Sequence, residues 1–301
     1  MKLVYSDQYD LHLGAHVFPS QKYRLVKEKL LQAGAVKAED FLEPEPASDE
    51  DVALVHEREY IRKLRTGTLS FEEILRMEVP YSPELVRGVW LAAGGSMLAG
   101  RRALSDGTAV NIGGGFHHAF PGHGEGFCAL HDVAIAIRRL QKDKLIARAM
   151  TVDLDVHQGN GTAAIFHDDP TVFTFSMHQQ NNYPNPKPPS SLDINLPDGV
   201  RDEEYLDLLR ESLDEIVLKF RPDIIFYLAG ADPFWDDQLG GLRLSMEGLL
   251  ARDRMVFDKA RNIPVAVTLA GGYARRLEDT VAIHAQTIQA ARDPRPSVEL
   301  E

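Results

Sequence analysis

The chain has 301 residues, 44% of them hydrophobic and 26% charged, which is an ordinary soluble composition with enough apolar residues for a large core. Its net charge of −12 leaves no basic footprint for a dedicated nucleic-acid binder, although an acidic surface suits a cationic substrate. A single cysteine, Cys128, rules out an intrachain disulfide and fits a reducing, cytoplasmic setting; the N-terminus lacks the apolar core of a signal peptide, and no apolar run approaches the roughly 20 residues of a membrane span.

In chain order, the pattern predicts strands over Lys2–Tyr5, Thr108–Ile112, Ala149–Asp153, Val172–Ser176, Asp193–Leu196, Ile224–Leu228 and Val265–Leu269. Several are continuously apolar and β-branched, as expected of strands buried on both faces of a parallel sheet. Between them, Ser82–Pro83 reads as an N-cap followed by proline at the first helical position, with Leu85, Val89, Trp90, Ala93 and Met97 recurring at helical spacing. Arg201–Phe220, Leu244–Ala260 and about Arg275 to Ala291 read as further amphipathic helices. The alternation implies an α/β sandwich with helices on both faces, one domain over residues 1–301 with a frayed tail over 292–301. The proline-rich stretch Asn182–Ser191 reads as a stiff loop.

Most of the unusual residues follow predicted strands, where open α/β sheets carry their ligand sites. In the segment from Thr151 to Gly161, Asp153, Asp155 and His157 fall at i, i+2 and i+4, on one side of an extended chain. Charges there call for pairing or a cation. The competing reading is an acidic turn that caps the next helix. Asp232 ends another apolar strand and is either a third ligand or a turn cap. Two aspartates and one histidine leave an open position on zinc, the pattern of a catalytic site. Gly113–Gly114–Gly115 lead into His117 and His118, candidates for proton transfer near neutral pH, although the glycines also suit a nucleotide. Tyr273, after a glycine turn, is either an oxyanion donor or an ordinary half-buried tyrosine. Cys128 has no discernible catalytic partner and reads as a small buried hydrophobe.

Taken together, GGGFHHAFPGHGEGFC, DLDVHQGNG, FSMH, AGADPFWDDQLGG and LAGGY, in this order between Asn111 and Tyr273, resemble the histone deacetylase family, most of all its class IV branch and bacterial relatives. The resemblance implies an arginase–deacetylase fold, a three-layer α/β sandwich on a mostly parallel sheet of about eight strands. It implies one zinc per chain held by Asp155, His157 and Asp232, with His117 and His118 as the tandem histidines and Tyr273 as the residue that polarises the acyl carbonyl. Gly126 and Phe127 would line the acyl-lysine tunnel, with Tyr183 on the opposite wall. Asp153, Asp155, His157, Ser176 and Met177 would hold a monovalent cation such as potassium. The implied reaction is amide hydrolysis by a metal-activated water, with His118 as base, Asp153 orienting His117, and hydroxamate-type inhibitors expected to bind.

Asn160, the partner of His118, stands where many deacetylases carry aspartate, so the sequence predicts a lower pKa for His118. The expected substrate is acyl-lysine in a protein or peptide; alternatives are acetylated polyamines or other small amides. Rival readings are a two-metal ureohydrolase on the same fold, against which the tandem histidines and Tyr273 argue, a non-catalytic acyl-lysine binder, and a nucleotide-binding protein.

Overall fold

Runs such as Ile224–Leu228 have no polar face to offer to water, and in the computed structural model they are covered on both sides. Residues 1–260 and 262–293 are described; from residue 294 on, the tail expected to fray lies outside the described residues. Eight strands form one parallel sheet: β1 (Lys2–Val4), β2 (Phe41–Leu42), β3 (Thr108–Asn111), β4 (Ala149–Asp153), β5 (Val172–Gln179), β6 (Leu192–Leu196), β7 (Ile224–Leu228) and β8 (Val265–Thr268). Their spatial order is β2-β1-β3-β8-β7-β4-β5-β6.

Successive side chains alternate between the two faces. Leu3, Val110, Ile225, Tyr227, Val265 and Val267 join one apolar cluster, while Val4, Ala109, Phe226, Leu228 and Ala266 join the other. Helices α1 (Lys22–Gln32), α2 (Asp49–Val52), α3 (Arg58–Thr66), α4 (Phe71–Met77), α5 (Pro83–Asp106), α6 (Asp132–Lys142), α7 (Asn160–Ile165), α8 (Asp202–Phe220), α9 (Met246–Ala260) and α10 (Leu277–Arg292) complete the described chain. The pair α5–α6 packs against the second cluster, and α8, α9, α10 and α1 contact one another in that succession. None of the described helices is long and apolar enough to cross a membrane.

The α5 N-terminus is built as its sequence predicts, with Ser82 Oγ accepting from Leu85 N–H at 3.0 Å ahead of Pro83. Two helix starts move inward for identifiable reasons. Leu244 bridges to Phe234, so α9 begins only after Ser245, whose Oγ accepts from Gly248 N–H at 2.9 Å. Arg275 N–H is held by Asp236 O at 3.2 Å, which delays α10 to Leu277.

Candidate active site

The four central strands β3, β8, β7 and β4 are consecutive neighbours, and each runs into a loop bearing one of the candidate groups. Beyond β3, buried Asp132 at the start of α6 shapes the glycine loop. Its carboxylate accepts from Gly115 N–H at 3.0 Å and Phe116 N–H at 2.8 Å, and from Ser96 Oγ at 2.5 Å. Gly115 has φ +87° and lies so close to Ala270 that a Cβ would sit 2.7 Å from its Cα, so this turn requires glycine. The turn delivers His117 and His118, both buried, with ring centroids 4.0 Å apart. His117 Nδ1 pairs with Asp153 Oδ2 at 2.7 Å, and His118 Nδ1 with Asn160 Oδ1 at 2.7 Å.

Strand β4 ends at Asp153, and residues 155–157 are bends. The turn, rather than pleat alternation, therefore brings Asp155 to His157, whose Nδ1 lies 3.2 Å from Asp155 Oδ1. The ligand and cap readings coexist. Asp155 Oδ1 accepts from His157 N–H at 3.0 Å, and Asp232 Oδ1 accepts from Val156 N–H at 2.9 Å, yet Asp232 Oδ2 is buried without a hydrogen-bond partner. One ligand atom from each of Asp155, His157 and Asp232 lies within 4.8 Å of the others. Gly271 makes this approach possible, because a Cβ there would stand 2.0 Å from Asp232 Oδ2. Burial, then the neighbouring Asp155, pushes the Asp232 carboxyl up to about 7. Burial opposes the His157 cation, but Asp155 and Asp232 outweigh it and push that imidazole up to about 10. A cluster that holds extra protons this firmly, around an orphaned carboxylate oxygen, fits a divalent cation in the proton's place. The O, N, O donor set with room for a further ligand suits zinc.

A pocket opens above these groups, lined by Glu78, Phe127, Asn182, Tyr183, Leu239 and Tyr273 as well as His118, Gly126 and His157. Tyr183 meets the His118 ring edge-on at 4.9 Å, and Phe127 meets Tyr273 at 5.9 Å. A deeper cavity is lined by Phe18, Tyr23, Phe116, Cys128 and Ala270, and by Tyr273 as well. Cys128 is buried, and burial pushes its thiol well up, which argues against a nucleophile.

Residues 16–288 match the model of the histone deacetylase domain. The chain belongs to the histone deacetylase family. It is 44% identical over 280 residues to an uncharacterized protein of Picosynechococcus sp., covering 92% of this chain and 93% of that one. It is 33% identical over 297 residues to histone deacetylase 2 of Arabidopsis thaliana, covering 94% and 77%. The crystal structure of the HDA15 HD domain superposes with a TM-score of 0.82 at 21% identity, covering 98% of this chain and 91% of that one, which extends the likeness of fold to the whole sheet.

Within this deacetylase fold, Asp237, Arg252 and Lys22 support the site although the strand-end pattern of the sequence does not single them out. Asp237 accepts from Tyr273 N–H at 2.7 Å, Leu239 N–H at 2.8 Å and Gly240 N–H at 3.0 Å. Arg252, fully buried on α9, donates to Gly230 O at 2.6 Å and Leu154 O at 3.2 Å, clamping the two segments that bear Asp232 and Asp155. Lys22, also fully buried, donates to Ala270 O at 2.7 Å, and burial pulls its ammonium down to about 8 despite Asp232, Asp155 and Asp237. Ser176, opposite Asp153 in the β4–β5 register, pairs its hydroxyl with His178 Nδ1 at 2.9 Å. The low pKa expected for His118 is present, but burial is its first cause and the His117 and His157 imidazoles come next; the bond to Asn160 works the other way. His117 is pushed up to about 9, because Asp153 and Asp155 outweigh its burial.

Proposed function

We propose that this deacetylase-family hydrolase is a zinc-dependent deacylase of acyl-lysine. The observation that carries the reading is the set Asp155, His157, Asp232, His117, His118 and Tyr273 gathered beneath a pocket walled by Phe127 and Tyr183. Asp155, His157 and Asp232 hold the zinc, which when bound polarises the acyl carbonyl and acidifies water. The aromatic walls orient an extended acyl-lysine and exclude solvent. His118, kept neutral by its surroundings, accepts the proton of the attacking water at its outward nitrogen, Nε2. His117, kept protonated by Asp153, holds a positive charge beside the reacting groups, and His118 passes the proton it took from water on to the leaving amine, which returns both rings to their starting states. Tyr273 supplies a hydroxyl donor to the developing oxyanion; burial and nearby carboxylates hold its pKa well up, so it stays protonated. A monovalent cation against Asp153, Asp155, His157, Ser176 and Met177 belongs to the same reading, supported by the facing of Asp153 and Ser176 across β4 and β5.

A smaller acylated amine is the second reading, favoured by the Glu78 carboxylate at the pocket mouth, which suits a distant ammonium group. The test is kcat/KM of zinc-loaded protein on one lysine peptide bearing acetyl, octanoyl or myristoyl. Tyr273→Phe is expected to lower turnover by about 100- to 1,000-fold, the loss typical of one oxyanion donor. Rising rates with chain length identify a fatty deacylase, whereas a preference for acetyl indicates a short pocket. No turnover on any of the three refutes the acyl-lysine reading and moves the question to acetylated polyamines.

A further inference from the structure

Glu125 has no part in the reaction as described, yet it stands directly behind the base. Its Oε1 accepts two hydrogen bonds, from Asn160 Nδ2 at 2.7 Å and from the Tyr183 hydroxyl at 2.8 Å, while Oε2 lies 3.2 Å from His123 Nε2. Three side-chain bonds, to His123, Tyr183 and Asn160, outweigh its partial burial and hold its carboxyl below the usual range, so it is ionised at neutral pH. An ionised carboxylate only accepts hydrogen bonds.

That property has a directional consequence. The Asn160 amide must turn its NH₂ toward Glu125, which leaves Oδ1 facing His118 Nδ1 at 2.7 Å. Gly161 N–H, donating to the same Oδ1 at 3.1 Å, favours the same orientation. A carbonyl oxygen opposite Nδ1 requires a proton on Nδ1, so a neutral His118 ring has its lone pair on Nε2. With the amide reversed, the NH₂ would face the ring, the proton would move to Nε2, and the base would point a donor where it needs an acceptor.

We infer that Glu125 is a positioning residue that fixes the tautomer of His118 through the Asn160 amide, and that its second bond, to Tyr183, ties the pocket wall to the same lock. The inference rests on His118 acting as the base in the proposed deacylation. An aspartate at position 160 needs no such device, since a carboxylate presents acceptors on every side; the asparagine in this chain does.

The decisive measurement is the ring ¹⁵N spectrum of His118 in zinc-loaded protein, made with histidine-selective labelling at neutral pH and without substrate. The expected wild-type result is a single tautomer protonated at Nδ1. In Glu125→Gln, the new amide can donate as well as accept, Asn160 loses its enforced orientation, and both tautomers appear. In Glu125→Gln/Asn160→Asp, an acceptor-only group again faces Nδ1, and the single tautomer returns. On the acyl-lysine peptide, kcat is expected to fall about 10- to 100-fold in Glu125→Gln with KM little changed, and to recover in the double variant. A wild-type ring protonated at Nε2, or a Glu125→Gln ring that keeps its single Nδ1–H form, overturns the inference whatever the rates do. If wild-type protein hydrolyses none of the peptides, the acyl-lysine reading fails separately, and the spectra still decide the role of Glu125.

Discussion

His56 offers a quantitative test of how this fold holds the loop that carries His117 and His118. The residue is 3% exposed and spans two parts of the chain, its Nδ1 bonding Phe120 O at 3.0 Å and its Nε2 accepting from His131 N–H at 2.9 Å. Only the neutral ring serves both. Burial pulls its pKa down from 6.5 to about 4, against the opposing backbone bonds to Phe120 and Pro121. The unfolded chain takes a proton below about pH 6.5 that the folded chain refuses until about pH 4. This contribution to stability is therefore complete above 6.5 and is lost as pH falls through that window, at about 1.4 kcal/mol per pH unit and about 3 kcal/mol in all. His56→Gln can keep a donor and an acceptor but does not titrate. Urea unfolding of both proteins between pH 7.5 and 4 is expected to show a wild-type advantage at neutral pH that shrinks by about 3 kcal/mol toward pH 4. Stability curves that run parallel across the whole range would refute the argument.

Gly271→Ala places a methyl carbon 2.0 Å from Asp232 Oδ2 and 2.6 Å from Asp155 Oδ2, so bound zinc measured by elemental analysis should fall well below one per chain; full loading would contradict the close-approach argument. Chelation of the loaded protein should lower Tm by about 4 °C, from about 2.7 kcal/mol of linkage at a ligand excess of 100 Kd and about 0.6 kcal/mol/K of unfolding entropy for a chain this size, with zinc but not magnesium restoring it. Arg252→Met leaves Asp253 buried without its ion-pair partner, from which it lies 2.8 Å away, and should cost about 3–5 kcal/mol in denaturant unfolding, partly regained in Arg252→Met/Asp253→Asn; a near-neutral single variant would argue against the clamp.

The sheet is legible in the sequence because strands buried on both faces are apolar throughout, and Ile224–Leu228 matches β7 end to end. Other elements lack such a signal. β2 is two residues on the sheet edge, too short to show a period. Helix α6 begins Asp132–Val133–Ala134–Ile135–Ala136–Ile137, a β-branched apolar run that would suit a strand equally well, and all of it is buried. Helix α1 has no side-chain cap at Gln21. In the site, Asp155, His157 and Asp232 stand out because charge at the end of an apolar strand is costly, and the structure brings them together. Glu125 and Asp237 do not stand out, since acidic residues in glycine-rich loops are common and their importance depends on which backbone and amide groups the fold turns toward them. Arg252 does carry a readable signal: it lies at helical spacing among Leu249, Val256 and Ala260, on the buried face of α9.

Asp237 has a consequence for selectivity. One of its oxygens binds the backbone of Leu239 and Gly240, and the other binds the backbone of Tyr273. The pocket wall and the proposed oxyanion donor therefore hang from a single rigid carboxylate. A guest bulky enough to push Leu239 aside transmits that push to Tyr273 through two short bonds, so fit at the entrance and rate of the proposed deacylation are not separately adjustable. Variants selected for a wider entrance should lose turnover even on substrates that never touch the altered wall.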